Sequence, residues 1–487
     1  MADYLHGAYG NVYAAGTRDA LVSQPIVYIG TAPVHTLPGG GDNVNKPVLV
    51  NNIGEARRMF GYSEDWASYT LCEPMYVHLL QKGVGPLVLI NVLDPAKHKA
   101  AAPVTTTATP SGGRALVTGA ENAILDSVTV EDMAEGEDYT LTYDHAKNTL
   151  VFSEVEPDSL GSAPLTITYD EVDPSEVDED VIIGESDDEG INTGIYAVRS
   201  VYPATGAIPS MLMCPGFAEI PKVHEVMVAL STKINGHWDT YLYVDLPLVD
   251  ATNKAIKLSN VAKWKNDNGY TRDNETVYFP MAEGVDGRKY HLSVLAAANL
   301  QELNAAQSGI PYKTASNTES AAIRGLFMGA GSEGRYFDDE IINRTLNQHG
   351  IASAAYMGGR WVIWGAHSAA YDQERGDQIN VSETNRMMLN YLSNDFQKRR
   401  VTDVDQPMSV NRIRAIIAEE QARLDALIKI GAICHGQVVN NDGADRKSDI
   451  MRGDFLFTFL VTVTPLGKSL TANVTWTDKG FETYFTA

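Results

Sequence analysis

The sequence predicts a multidomain protein of α/β and β type: an α/β core, a small β-sandwich inserted into it, and an α+β C-terminal domain. Three observations carry that prediction. Apolar strand-length runs alternate with helical patterns on both sides of residues 98–192, the intervening segment holds short alternating strands separated by acidic turns, and a strand pair lies close to the C-terminus. At 487 residues the chain is long enough for several cores of ordinary size.

Composition narrows the class. A hydrophobic content of 44% with 21% charged residues is that of a globular chain. No apolar run approaches the roughly 20 residues needed to cross a bilayer, and Met-Ala-Asp-Tyr-Leu-His-Gly at the start has no basic segment or apolar core of a secretory signal. The expectation is folding in the cytoplasm where the chain is made. Cys72, Cys214 and Cys434 are far apart, without metal or redox spacing, and read as buried spectator thiols. The net charge of -24 is concentrated: residues 121–190 hold 22 of the 62 acids and one of the 38 bases, Lys147. Such a run reads first as a solvated surface module that resists self-association. Asp170-Glu171-Val-Asp173 and Asp178-Glu179-Asp180 could gather calcium ligands, but no EF-hand loop is present, and phosphates would be repelled.

In chain order, residues 1–22 mix Gly7, Gly10 and Gly16 with Tyr4, Tyr9, Val12 and Tyr13 and have no helical period, which predicts an extended arm. Within 23–97, Ile26 to Ile29 and Leu87 to Val92 read as strands, and Ile53 to Phe60 and Trp66 to Leu80 as helices. The small-residue stretch Ala100 to Gly113 reads as a linker. It opens the insertion of 98–192, in which Ser127 to Val130, Tyr139 to Tyr143, Thr149 to Phe152 and Leu165 to Tyr169 are short strands. Across 193–351 the α/β pattern resumes with a strand at Met211 to Cys214, a helix started by Pro221 and stopped by Gly236, and a strand at Tyr241 to Val244. A C-terminal domain is expected from 352 to 468. It opens on a hairpin about Met357-Gly358-Gly359 and continues with helices at Ser382 to Phe396 and Val410 to Ile430. Finally Phe455, Phe457, Phe459, Val461 and Val463 alternate on one face. After Pro465-Leu466-Gly467-Lys468, so do Leu470, Ala472, Val474 and Trp476 in the arm 469–487. A half-apolar terminal strand offers unpaired backbone groups to whatever can complete its ladder, this chain or another copy.

Motifs for chemistry are thin. Gly329-Ala-Gly331-Ser-Glu-Gly334 fits the dinucleotide pattern, yet residues 350–358 contain no acid to hold a ribose, so a glycine loop is expected and no cofactor. No nucleophile elbow, zinc-protease or phosphate-loop motif occurs, and the eleven histidines are scattered. The basic residues Lys398, Arg399, Arg400, Arg412 and Arg414 stand out in an acidic chain, as a solvated helix end or a docking patch for an acidic partner.

Several segments together resemble the tail sheath proteins of contractile bacteriophages and phage-tail-like bacteriocins. They are Tyr28-Ile-Gly-Thr-Ala-Pro33, Val201-Tyr-Pro with Pro209 to Gly216, Ile234-Asn-Gly236, Trp264 to Tyr270, Leu346-Asn-Gln-His-Gly350 with Gly365-Ala366, and Met451 to Phe455 with Thr462 to Ser469, in that order. The resemblance implies a structural protein, not an enzyme, polymerising as stacked hexameric rings around an inner tail tube and contracting to drive the tube through a bacterial envelope. It implies an α/β domain likened in fold to subtilisin but without a triad, and terminal strands exchanged between subunits. Here the lent segments map to Ala2 to Leu21, with Tyr4, Tyr9, Val12 and Tyr13, and to Leu470 to Phe485, with Leu470, Ala472, Val474 and Trp476; Phe459 and Val461 lie on the receiving strand. The C-terminal domain and its basic patch face the tube, and the acidic insertion projects outward. The implied partners are identical subunits and tube, baseplate and tail terminator proteins, with no nucleic acid and no membrane embedding. The implied place is a virion tail or tail-like particle assembled in the host bacterial cytoplasm. Another self-assembling tail component, and a dinucleotide-binding enzyme, are the alternative readings.

Overall fold

Strands whose side chains are apolar on both faces need cover on both faces, and four such runs set the architecture. The computed structural model describes residues 24–332, 334–372, 381–440 and 447–484, and the chain divides into two units, Met1–Gln406 and Pro407–Ala487. The first unit begins with β1 (Ile26–Gly30), β2 (Val48–Val50) and β3 (Leu87–Asn91). The acidic segment then supplies β4 (Val104–Ala108), β5 (Arg114–Thr118), β6 (Thr129–Val130), β7 (Tyr139–Asp144), β8 (Thr149–Glu154) and β9 (Leu165–Tyr169). Next come β10 (Met211–Met213), β11 (Tyr241–Asp245) and β12 (Glu275–Tyr278), then β13 (Met281–Gly284), β14 (Lys289–Tyr290) and β15 (Ile323–Phe327), and last β16 (Ile351–Met357) and β17 (Arg360–Trp364).

Eight of these form one sheet in the order β17-β16-β12-β11-β10-β1-β3-β2. It is parallel from β16 to β3, with Ile26 beside both Met211 and Leu87, and its two outermost strands run antiparallel. Every residue of β1, β3, β10 and β11 is buried. The helix Leu292–Ala306 packs against β11 and is buried at each position from Leu292 to Leu300. β13, β14 and β15 make a separate antiparallel sheet.

The expected helix from Trp66 begins only at Cys72 and continues as a π-helix over Met75–Lys82. The stretch expected as a linker contains β4, whose threonines pair with β9 in an alternating exposed and covered pattern. The hairpin expected to open the C-terminal domain is instead the edge of the large sheet, because β16 pairs in parallel with β12.

In the acidic segment two three-stranded antiparallel sheets, β4-β9-β6 and β5-β8-β7, share a core of Ala115, Leu150, Phe152 and Ile167 that is distinct from the main one. Several acids there have local tasks. Asp173 and Asp178 cap short helices, Asp170 pairs with Lys99 at 2.7 Å, and Lys222 reaches Glu179 at 3.1 Å and Asp180 at 2.5 Å.

The helix Glu383–Arg400 is anchored by its first residue. Glu383 is fully buried and accepts hydrogen bonds from Tyr243 Oη at 2.8 Å, Thr276 Oγ1 at 3.2 Å, Ala315 N at 3.3 Å and Thr314 Oγ1. Burial pushes its carboxyl pKa up, while those donors hold it down. Removing the acceptor orphans several buried donors at about 1–3 kcal/mol each. Glu383→Ala is therefore expected to destabilise the first unit by about 3 kcal/mol or more, read as a lower urea midpoint.

The second unit contains the helix Val410–Lys429, β18 (Ile433–Asn440), the helix Lys447–Arg452, β19 (Phe457–Val463) and a 3-10 helix at Lys479–Tyr484. β18 and β19 pair antiparallel from Ile433 opposite Val463 to Asn440 opposite Phe457. Its core is Ile416, Leu424, Leu427, Ala432, Ile433 and Val438.

Candidate functional site

The terminal strand pair resolves differently from its expected form. Phe459 and Val461 lie on β19, half-buried, but the partner of β19 is β18 and not the segment 470–476. β18 carries His435, Gly436 and Gln437 in its middle, which hid it among loop residues. Among the described residues this sheet has two strands, and residues 464–477 adopt no helix or strand. Leu470 is 95% exposed, Val474 93% and Trp476 78%, and Ala472 is exposed as well. Large apolar side chains at alternate positions, all in water, form an unsatisfied strand face. Tyr4, Tyr9, Val12 and Tyr13 lie outside the described residues.

The five basic residues do not form one cluster within a unit. Lys398, Arg399 and Arg400 close the helix Glu383–Arg400 in the first unit, where positive charge suits the helix end. Arg412 and Arg414 lie near the start of Val410–Lys429 in the second. Three of the five are engaged by nearby carboxylates: Arg399 with Asp395 at 2.8 Å, Arg400 with Asp403 at 3.4 Å and Arg412 with Glu419 at 3.4 Å. Cys72 and Cys214 are buried, but Cys434 is exposed, contrary to expectation, because it sits where the β18 register shifts between Ile433 and His435 and the alternation breaks.

The glycine loop 329–334 follows β15, a strand of the antiparallel side sheet, whereas the dinucleotide fold needs a parallel strand leading into a helix. Gly334 N donates to Glu283 Oε2 at 2.5 Å, so a protein carboxylate already sits on that loop amide. Arg324 and Lys289, each 2.8 Å from Glu283 Oε1, help hold its carboxyl down to about 2. Buried His224 is stacked on Tyr270 and bonded to Glu275 at 2.5 Å.

At the C-terminal end of β11, where parallel sheets commonly bind ligands, His291 has both ring nitrogens facing carboxylates: Nδ1 with Glu73 at 2.5 Å and Nε2 with Glu219 at 3.2 Å. No position is left on that ring to activate a hydroxyl or thiol. Burial works against its charge, but Glu73 and Glu219 hold its pKa well above the usual histidine range. Nearby Asp245 accepts from Ser293 N at 3.2 Å, its Oδ2 is buried without a partner, and burial raises its pKa to about 7.

No protein-family model matches the chain. The tail sheath protein of Burkholderia phage BcepMu is 24% identical to it, over 96% of this chain and 96% of its own. A chain in the 6-fold symmetrised baseplate of the anti-feeding prophage superposes with a TM-score of 0.56 at 12% identity, covering 97% of this chain and 100% of that one. A chain of an extracellular contractile injection system, the PVC sheath complex in its contracted state, gives 0.54 at 10% identity, covering 98% and 100%. The resemblance is to contractile tail sheath proteins. It runs through both units, and the solved chains share the fold of this one. Among the described residues no helix is long and apolar enough to cross a membrane.

The Asp245 cluster gives a signed pH dependence. Its carboxyl is near 3.8 ordinarily and about 7 in the fold, so the native chain holds a proton that the unfolded chain has lost between those values. Stability therefore falls as pH rises from about 4 to 7. The raised His291 adds a fall in the same direction above 6.5. Asp245→Asn is expected to raise the melting temperature at pH 7 and to flatten the slope between pH 4 and 6, measured by calorimetry across that range.

Proposed function

We propose that this chain is the sheath subunit of a contractile tail or tail-like particle. It polymerises as stacked hexameric rings around an inner tube, joins the baseplate at one end and a terminator at the other, and contracts to drive the tube through a bacterial envelope. The observation that carries the proposal is a two-stranded sheet beside an exposed alternating apolar segment, in a chain similar to a tail sheath protein over nearly its whole length. Two strands alone are marginal in water, and a third or fourth strand from another copy supplies both ladder hydrogen bonds and cover for apolar faces. Each added backbone bond contributes about 0.5–1.5 kcal/mol net.

In this reading Leu470, Ala472, Val474 and Trp476 belong to the strand that is lent, together with Tyr4, Tyr9, Val12 and Tyr13 of the arm, and β19 with Phe459 and Val461 belongs to the sheet that receives. The compact units move as rigid bodies on contraction while the exchanged strands stay paired. The basic residues Lys398, Arg399, Arg400, Arg412 and Arg414 meet an acidic tube surface. The acidic insertion lies outward, where its charge keeps particles apart.

Negative-stain microscopy of the purified chain is expected to show long hollow tubes. Deleting residues 1–20 is expected to abolish them while leaving a folded monomer by circular dichroism; normal tubes from the truncated chain overturn the arm exchange. Trp476 is expected to move from water to a covered site on assembly. Its fluorescence, isolated as the difference from Trp476→Phe, then shifts to shorter wavelength, and an unshifted difference spectrum counts against the C-terminal strand.

A further inference from the structure

The outer edge of β18 is not bare. Gln421, on the helix Val410–Lys429, places its side-chain amide against it: Nε2 donates to Gly436 O at 3.0 Å, and Oε1 accepts from Val438 N at 3.0 Å. An acceptor and a donor two residues apart lie on the same edge of a strand, and a main-chain N–H turned toward Gln421 is turned away from β19. The amide thus makes the pair of bonds that one residue of a neighbouring parallel strand would make. The approach depends on Gly436. A Cβ there would stand 2.9 Å from Leu424 Cβ, so only glycine lets the helix lie close enough for Gln421 to reach round to the edge. Gly436 and Val438 are both buried, and the Gln421 Nε2 group is also held by Asp425 Oδ1 at 2.9 Å.

We propose that Gln421 is a placeholder that closes the outer edge of β18 to strand pairing in the unassembled subunit, and that a strand from a second copy of this chain takes over Gly436 O and Val438 N when it docks. The inference rests on the strand-exchange reading and adds to it a location and a gate. An exposed strand edge invites unspecific pairing, and native proteins blunt such edges. A side-chain amide does so reversibly, since an incoming strand replaces its bonds with equivalent ones. The segment from Leu470 to Trp476 fits the edge by chemistry, being of strand length and apolar at alternate positions.

The test uses the full chain below the concentration at which it assembles and a synthetic peptide of residues 469–478, whose indole at Trp476 reports binding. Gln421→Leu removes both bonds at similar size and is expected to bind the peptide about tenfold more tightly than the parent chain. Gln421→Glu keeps an acceptor for Val438 N but no donor for Gly436 O, and is expected to fall between them. Amide exchange locates the event: the Val438 amide exchanges faster in Gln421→Leu than in the parent, and peptide restores its protection. Equal or weaker binding by Gln421→Leu, or binding that leaves the Val438 amide unprotected, overturns the proposal. Tube formation by the parent chain is scored separately. Tubes with an unresponsive Val438 therefore reject the placeholder alone, and absent tubes reject the sheath reading.

Discussion

Backbone N–H and C=O groups withdrawn from water must be paired, and that constraint orders both units of this chain. In the eight-stranded sheet the ladder is long, and its two ends are finished by short or hairpin strands running against the rest, β2 and β17. In the second unit the ladder has two strands among the described residues, and one edge takes a side-chain amide from Gln421. Two strands by themselves are marginally stable in water and need packing or further strands as cover.

Polar residues carry more of the interior than the apolar runs suggest. Glu383 ties the start of its helix beneath Tyr243 and Thr276, His224 and Glu275 pair between a helix and β12, and Glu73, Glu219 and Asp245 surround His291 at the end of β11. Buried networks of this kind rigidify the elements they join where their members are satisfied, and a member without a partner, as at Asp245 Oδ2, costs stability.

Legibility in the sequence followed the visibility of burial patterns. β1, β3 and β11 were readable because unbroken apolar runs are strands buried on both faces. The helix Val410–Lys429 was readable because one face is apolar at helical spacing. The helix Leu292–Ala306 was not, since burial from Leu292 through Leu300 leaves no polar side to mark a period. β12 hid behind Glu275 and Thr276, polar residues made tolerable by partners distant in the chain, among them His224 and Glu383. β4 hid in a threonine-rich stretch, and β18 behind His435, Gly436 and Gln437.

The sequence by itself determined the alternation of α/β and β segments, the concentration of negative charge in one module, and a C-terminal segment that is apolar at alternate positions. These are local properties, set by side-chain type and spacing. Which strand pairs with which was decided only in the fold, because pairing depends on partners distant in the chain. β19 met β18 rather than the segment after it, β16 joined the large sheet, and Arg399, Arg400 and Arg412 of the basic set found carboxylates. Only the close approach of a helix at Gly436 brings Gln421 onto a strand edge, and no spacing rule along the chain announces that contact.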